Sequence, residues 1–134
     1  MPGALEFIDW LRSELQLIIV SDTFIEFADP LLKQLGRPTL LCHHLTTDSA
    51  GNIINYNLRQ KDAKKMVVEA LQSLNYKVIA IGDSYNDISM LRRAELGILY
   101  NPPQNVIEEN IDLKVVKSFN DLKEIISQLF DKEQ

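Results

Sequence analysis

The sequence predicts an α/β protein, a parallel sheet with helices on both faces. Three observations carry that expectation. Short apolar runs rich in β-branched residues, "LQLIIV" (15–20) and "VIAI" (78–81), read as strands covered on both sides. Between such runs lie segments whose apolar residues recur at helical spacing, and this alternation of strand and helix implies parallel crossovers. The chain has 134 residues, 46% hydrophobic and 25% charged, enough for one compact core, so residues 1–134 are expected to form a single domain.

The elements follow in order. Leu5, Ile8, Trp10, Leu11 and Leu15 sit at helical spacing among Glu6, Asp9, Arg12 and Glu14, giving a helix over 4–15. A strand ends at Val20. Thr23 and Glu26 fit a capping box for a helix running to Leu35, with Gly36 as its terminator. Pro30 is expected to kink or divide that helix, with Asp29 capping the second half. "PTLLCHHL" (38–45) and "IINYNL" (53–58) flank the turn chemistry of "TTDSAGN" and predict a hairpin. Asp62 opens a helix over 63–75 with an inner face of Met66, Val67, Ala70, Leu71 and Leu74. Then come a strand at 78–81, a helix at 85–94, a strand near 96–99, a short helix after Pro102-Pro103, a strand "KVV" (114–116) and a helix at 119–130. Met66 and Met90 read as core fillers.

Composition excludes several classes of function. A net charge of −5 argues against nucleic acid, whose phosphates favour a basic face. No basic amphipathic stretch suits a lipid surface, and no apolar run approaches membrane-spanning length. A divalent cation would help such an acidic protein meet an anionic substrate. Cys42 is the only cysteine, so no internal disulfide can form and a reducing cytoplasm is the expected location.

The chemistry concentrates at strand ends. In open parallel sheets ligands bind beyond the carboxyl ends of the strands. "GDSYND" (82–87) stands at such an end. Gly82 permits close backbone approach, and Asp83 projects from the tip, where a carboxylate can hold Mg2+ with waters and phosphate oxygens. Two readings stand for Asp87. It completes a capping-box pattern with Ser84, or it belongs to a site. "SFND" (118–121) repeats the pattern with Lys117 in place of Gly-Asp, so capping alone explains S-x-N-D there. "SDT" (21–23) ends another apolar run. Ser21 and the following N–H groups suit either a cap or a phosphate site. In "RQKDAKK" (59–65), Lys64 and Lys65 fall in the first turn of a helix, where a cation is mildly unfavourable unless an anion sits nearby. Arg59, Lys61 and Lys65 suit a solvated charge run. Cys42-His43-His44 alternate across a strand and cannot converge on a metal.

Taken together, Ser21-Asp22, a lysine opening a later helix, and Gly82-Asp83-Ser84-Tyr85-Asn86-Asp87 resemble motifs two, three and four of the haloacid dehalogenase superfamily of phosphatases. "GALEFIDWLR", "IIVSDTFIEFADPL", "QLGRPTLLCHHL", "LRQKDAKK", "VIAIGDSYNDISML" and "LGILYNPPQNVI" are similar to its bifunctional phosphoserine phosphatase/homoserine phosphotransferase branch, from about Pro2 to about Leu129. The resemblance implies a Rossmann-like three-layer core and a Mg2+-dependent phosphomonoester hydrolase of serine biosynthesis. It implies phosphate binding by Ser21, the backbone of Asp22, Lys64 and Asn86. It assigns Asp83 to the metal, with Asp87 supporting the metal site.

The departure is in motif one. The superfamily's first strand ends in Asp-x-Asp, whose first Asp is the nucleophile and whose second is the general acid/base. No aspartate of these 134 residues has another two positions on. The chain is therefore expected to be a partial core, without the first, central strand, the nucleophile and the cap, and inactive alone. Two classes of function remain open. One is a truncated or split hydrolase. The other is a non-catalytic remnant, or a subunit that binds phosphate, self-associates or takes the missing strand from a partner chain.

Overall fold

A computed structural model describes residues 2–50, 52–57 and 62–133. The elements run α1 (Ala4–Glu14), β1 (Ile18–Phe24), α2 (Ile25–Gln34), β2 (Thr39–Thr47), β3 (Ile53–Asn57), α3 (Ala63–Ser73), β4 (Ile79–Gly82), a 3-10 turn (Tyr85–Asp87), α4 (Ile88–Arg93), β5 (Leu96–Tyr100), α5 (Gln104–Glu109), β6 (Lys114–Val116) and α6 (Phe119–Glu133). Helices alternate with strands as the periodicities require. Residues 1–63 and 64–134 form two compact units.

In the first unit the sheet order is β1-β2-β3, with β1 parallel to β2 and β2 antiparallel to β3. The expected hairpin is present. Its turn is closed by Asp48 Oδ1, which accepts the N–H groups of Ala50 at 2.9 Å and Asn52 at 2.8 Å. Regular pairing of β1 runs from Ile18 to Val20 and resumes only where Phe24 meets His43. The strand thus extends past Ser21, and α2 begins at Ile25 rather than at a Thr23 cap. The amide of Thr23 instead donates to Ser21 Oγ at 3.1 Å. Pro30 does not divide α2, which runs unbroken from Ile25 to Gln34. It lies on the exposed side, and Asp29 caps nothing but pairs with Lys33 (3.5 Å) and Arg37 (3.1 Å). Gly36 does end the helix, with φ at 78°, and its carbonyl accepts from Arg12 Nη1 at 2.9 Å.

In the second unit β4, β5 and β6 are all parallel, in that order. Val68, Ala80, Met90, Leu91, Leu99 and Val106 form its core. The inner face of α3 is not the expected stripe. Ala63, Val67 and Val68 are buried, whereas Met66 is 38% and Leu74 is 67% exposed. Apolar residues at 66, 67 and 68 are consecutive, so spacing alone leaves the phase of the helix open by one position. Met90 fills the core as expected; Met66 does not. The helix expected over 85–94 opens as a 3-10 turn, with Asp87 N–H bonded to Ser84 C=O at 3.0 Å. Gly97 lets α4 lie directly on β5, since a Cβ there would strike the Leu91 backbone, 2.7 Å from its carbonyl carbon. Among the described residues no helix is long and apolar enough to cross a membrane.

Candidate functional site

The end of β4 assembles Gly82, Asp83, Ser84 and Asp87 with Lys64, all singled out in the sequence. Gly82 closes the strand, and a Cβ there would lie 2.6 Å from Asp87 Oδ2. Only glycine lets the carboxylate press against the strand tip. Asp87 Oδ2 accepts the N–H groups of Asp83 at 2.9 Å and Ser84 at 3.2 Å, and the Ser84 hydroxyl at 3.4 Å. Its Oδ1 accepts Lys64 Nζ at 2.7 Å. The cation that opens α3 against the helix dipole therefore has its anion, and the anion is Asp87.

Asp87 is only 5% exposed. Burial by itself would push its carboxyl up. The Lys64 hydrogen bond, the Asp83 N–H, the Lys64 charge and the Ser84 N–H together outweigh burial and hold it below the usual carboxylate range. The repeat at 118–121 makes the contrast plain. There the Ser118 hydroxyl caps α6 by accepting the Asp121 N–H at 3.1 Å, and Asp121 is exposed. The same four-residue pattern thus gives an exposed cap at one strand end and a buried ion pair at the other.

Asp83 stands beside this pair with an exposed carboxylate, and no described residue donates a hydrogen bond to it. Asn86 is also exposed. Lys65 is turned to Glu69 at 3.9 Å. Arg59 and Lys61 lie outside the described residues. The donor chemistry suits Mg2+ at Asp83, because this ion takes one or two carboxylates and completes its shell with waters and phosphate oxygens. Both oxygens of Asp87 are already engaged by hydrogen-bond donors, which suits it to supporting a site rather than ligating the ion. Among the described residues no three His, Cys, Asp or Glu side chains converge on a metal-binding point.

In the first unit Ser21, Asp22 and Thr23 occupy the stretch where regular β1–β2 pairing lapses. Ser21 Oγ accepts from Thr23 N–H, which leaves its own O–H with donor capacity. Asp22 Oδ1 lies 3.7 Å from Nε2 of His43, which is buried. The approach of His43 to Asp22 crosses the strand pair, so no local pattern reveals it.

A further group was not visible in the sequence. The Tyr85 hydroxyl accepts Asn105 Nδ2 at 3.3 Å, and the nearby Glu109 carboxylate raises Tyr85 above the usual tyrosine range. These partners are 20 and more residues away and carry no spacing signal.

Comparison with known proteins places this geometry. A family model for haloacid dehalogenase-like hydrolases matches residues 1–95. A phosphoserine phosphatase of Pseudomonas syringae pv. tomato and the phosphoserine phosphatase ThrH of Pseudomonas aeruginosa are each 53% identical over 123 residues, 92% of this chain. The chain spans 52% of the first and 60% of the second, so about half the length of these curated relatives. A solved structure described as a phospho-aspartyl intermediate analogue of phosphoserine phosphatase aligns with a TM-score of 0.71 at 25% identity, over 94% of this chain and 62% of that one. The chain belongs to the haloacid dehalogenase-like hydrolases.

Proposed function

We propose that these 134 residues are the phosphate- and metal-holding part of a Mg2+-dependent phosphomonoester hydrolase of the phosphoserine phosphatase type, with homoserine phosphotransfer as a related activity. The observation that carries the reading is the buried Lys64–Asp87 pair beside an exposed, unengaged Asp83 at the end of β4. The phosphoserine phosphatase relatives support the choice of phosphoserine. The alignment over 94% of the chain supports treating both units as one partial core domain.

In this reading Asp83 holds Mg2+, which when bound neutralises phosphoryl oxygens. Asp87 fixes Lys64, so that the ammonium is presented at one height rather than swinging on its stem. A phosphoryl oxygen arriving there shares the charge with Asp87. Ser21 donates its hydroxyl and Asp22 its backbone N–H to phosphate, and Asn86 contributes its amide. The nucleophile and acid/base are supplied by an Asp-x-Asp segment outside these residues, on the same polypeptide or on another chain. A cytoplasmic setting, with serine biosynthesis as the pathway, belongs to the same proposal.

The test is phosphoserine hydrolysis with Mg2+. The 134-residue chain alone is expected to be inactive. Adding a polypeptide with an apolar strand ending in Asp-x-Asp should give turnover that Asp83→Asn abolishes. Mg2+-dependent turnover by the chain alone would show that one of its own carboxylates is the nucleophile. If neither turnover nor Mg2+-dependent phosphate binding is found, the remnant reading replaces this one.

A further inference from the structure

The loop that carries Asp83 and Asn86 is held from two sides. From within, Asp87 gathers the N–H groups of Asp83 and Ser84. From outside, the Tyr85 hydroxyl accepts Asn105 Nδ2 of α5 at 3.3 Å. Helix α5 has only six residues, yet it is firmly seated. Val106 is buried in the core, Asn110 Nδ2 donates to Val106 C=O at 2.9 Å, and Arg92 Nη2 donates to Asn110 Oδ1 at 2.9 Å. Its approach from β5 is pinned where Asn101 N–H bonds Val116 C=O at 2.8 Å.

Tyr85 itself is 48% exposed and adds little to the core. Its hydroxyl is the part with a specific partner. We propose that Tyr85 is a positioning residue, tethering the Asp83–Asn86 loop to α5 through Asn105. Its consequence for ligand binding rests on the reading that Asp83 and Asn86 hold metal and phosphate; the tether itself does not.

Amide hydrogen exchange at Asp83, Ser84 and Asp87 reads the tether directly, because all three N–H groups are hydrogen-bonded within the loop. Losing one modest hydrogen bond corresponds to an opening about threefold to tenfold more frequent. Tyr85→Phe should therefore exchange these amides about threefold to tenfold faster while amides of β5 are unchanged. Asn105→Ala should do the same, and the double variant should add nothing to either. Mg2+ titration in the presence of inorganic phosphate should weaken by a like factor. Unchanged exchange in Tyr85→Phe overturns the proposal. So does acceleration in Tyr85→Phe with none in Asn105→Ala, which would place the effect in the ring and not the tether. Accelerated exchange in a chain whose wild type binds neither Mg2+ nor phosphate supports the tether and removes the proposed function instead.

Discussion

Replacing Lys64 by methionine tests the energetics of the site at its centre. The variant keeps the length and apolar stem of the side chain and removes the charge. In the native chain Nζ lies 2.7 Å from Asp87 Oδ1, with 16% and 7% of the two side chains exposed. Removing one partner of a fully buried pair costs about 3–5 kcal/mol. Asp87 keeps two backbone N–H donors after the change, and the lysine is not fully buried, so the expected loss is smaller, about 2–3 kcal/mol at pH 7. For a chain of this size that lowers Tm by about 10 °C. The pH dependence carries the diagnosis. The native Asp87 carboxyl sits below its unfolded value, so its contribution is fully present above the unfolded carboxylate range and is lost as pH falls through the lower, folded value. In the variant burial is opposed only by the backbone donors, so the carboxyl rises and acid relieves the penalty. Urea unfolding at pH 7 and near pH 3.5 should give a gap between native and variant that is large at the first and much reduced at the second. Adding Asp87→Asn to the variant should recover part of the loss, because a neutral amide oxygen still accepts the Asp83 and Ser84 N–H groups. A loss under about 0.5 kcal/mol at pH 7, or an equal loss at both pH values, would refute the reasoning, since surface pairs behave that way.

Gly82→Ala should cost about 1–3 kcal/mol, measured by urea unfolding, because the new methyl meets Asp87 across a strand tip that cannot move away. Gly97→Ala should cost at least as much, since there the clash is with the Leu91 backbone, but it should leave the acid sensitivity assigned to Asp87 in place. Ser118→Ala should lose about 1 kcal/mol as an ordinary cap and leave phosphate binding unchanged. In a vanadate titration Lys64→Ala should weaken binding more than Lys65→Ala, because Lys65 faces Glu69 in solvent. Equal effects would reduce the site to a diffuse basic patch.

Much of the fold could be read in advance because its signals are local. "KVV" (114–116) and the Pro102-Pro103 helix start need only a few neighbouring residues, and the structure has them at those positions. The ill-placed cation at the start of α3 was legible as a demand for an anion, and Gly82-Asp83 marked the strand end where the chain supplies one. What failed was phase and context. Three consecutive apolar residues at 66–68 hid the rotation of α3, so Met66 and Leu74 were placed inside when they face water. Thr23 looked like a cap because the S/T-x-x-E pattern says nothing of a strand that stays extended to pair Phe24 with His43. Pro30 was expected to kink or divide α2, yet the helix runs unbroken past it, with the proline exposed. The Tyr85–Asn105 contact joins a loop to a helix 20 residues on, and no periodicity records such a pairing.

The central claim is that Asp83 and the Lys64–Asp87 pair make one phosphate and metal site. Calorimetric titration of Mg2+ into the chain with saturating inorganic phosphate measures it most directly. The account predicts weak binding in the millimolar range, about 4 kcal/mol, because one exposed carboxylate with waters is not a cage. Asp83→Asn should abolish the Mg2+ heat, and Lys64→Met should remove the phosphate dependence while leaving the weak metal binding. Micromolar Mg2+ binding that survives Asp83→Asn, or phosphate binding indifferent to Lys64→Met, would contradict it.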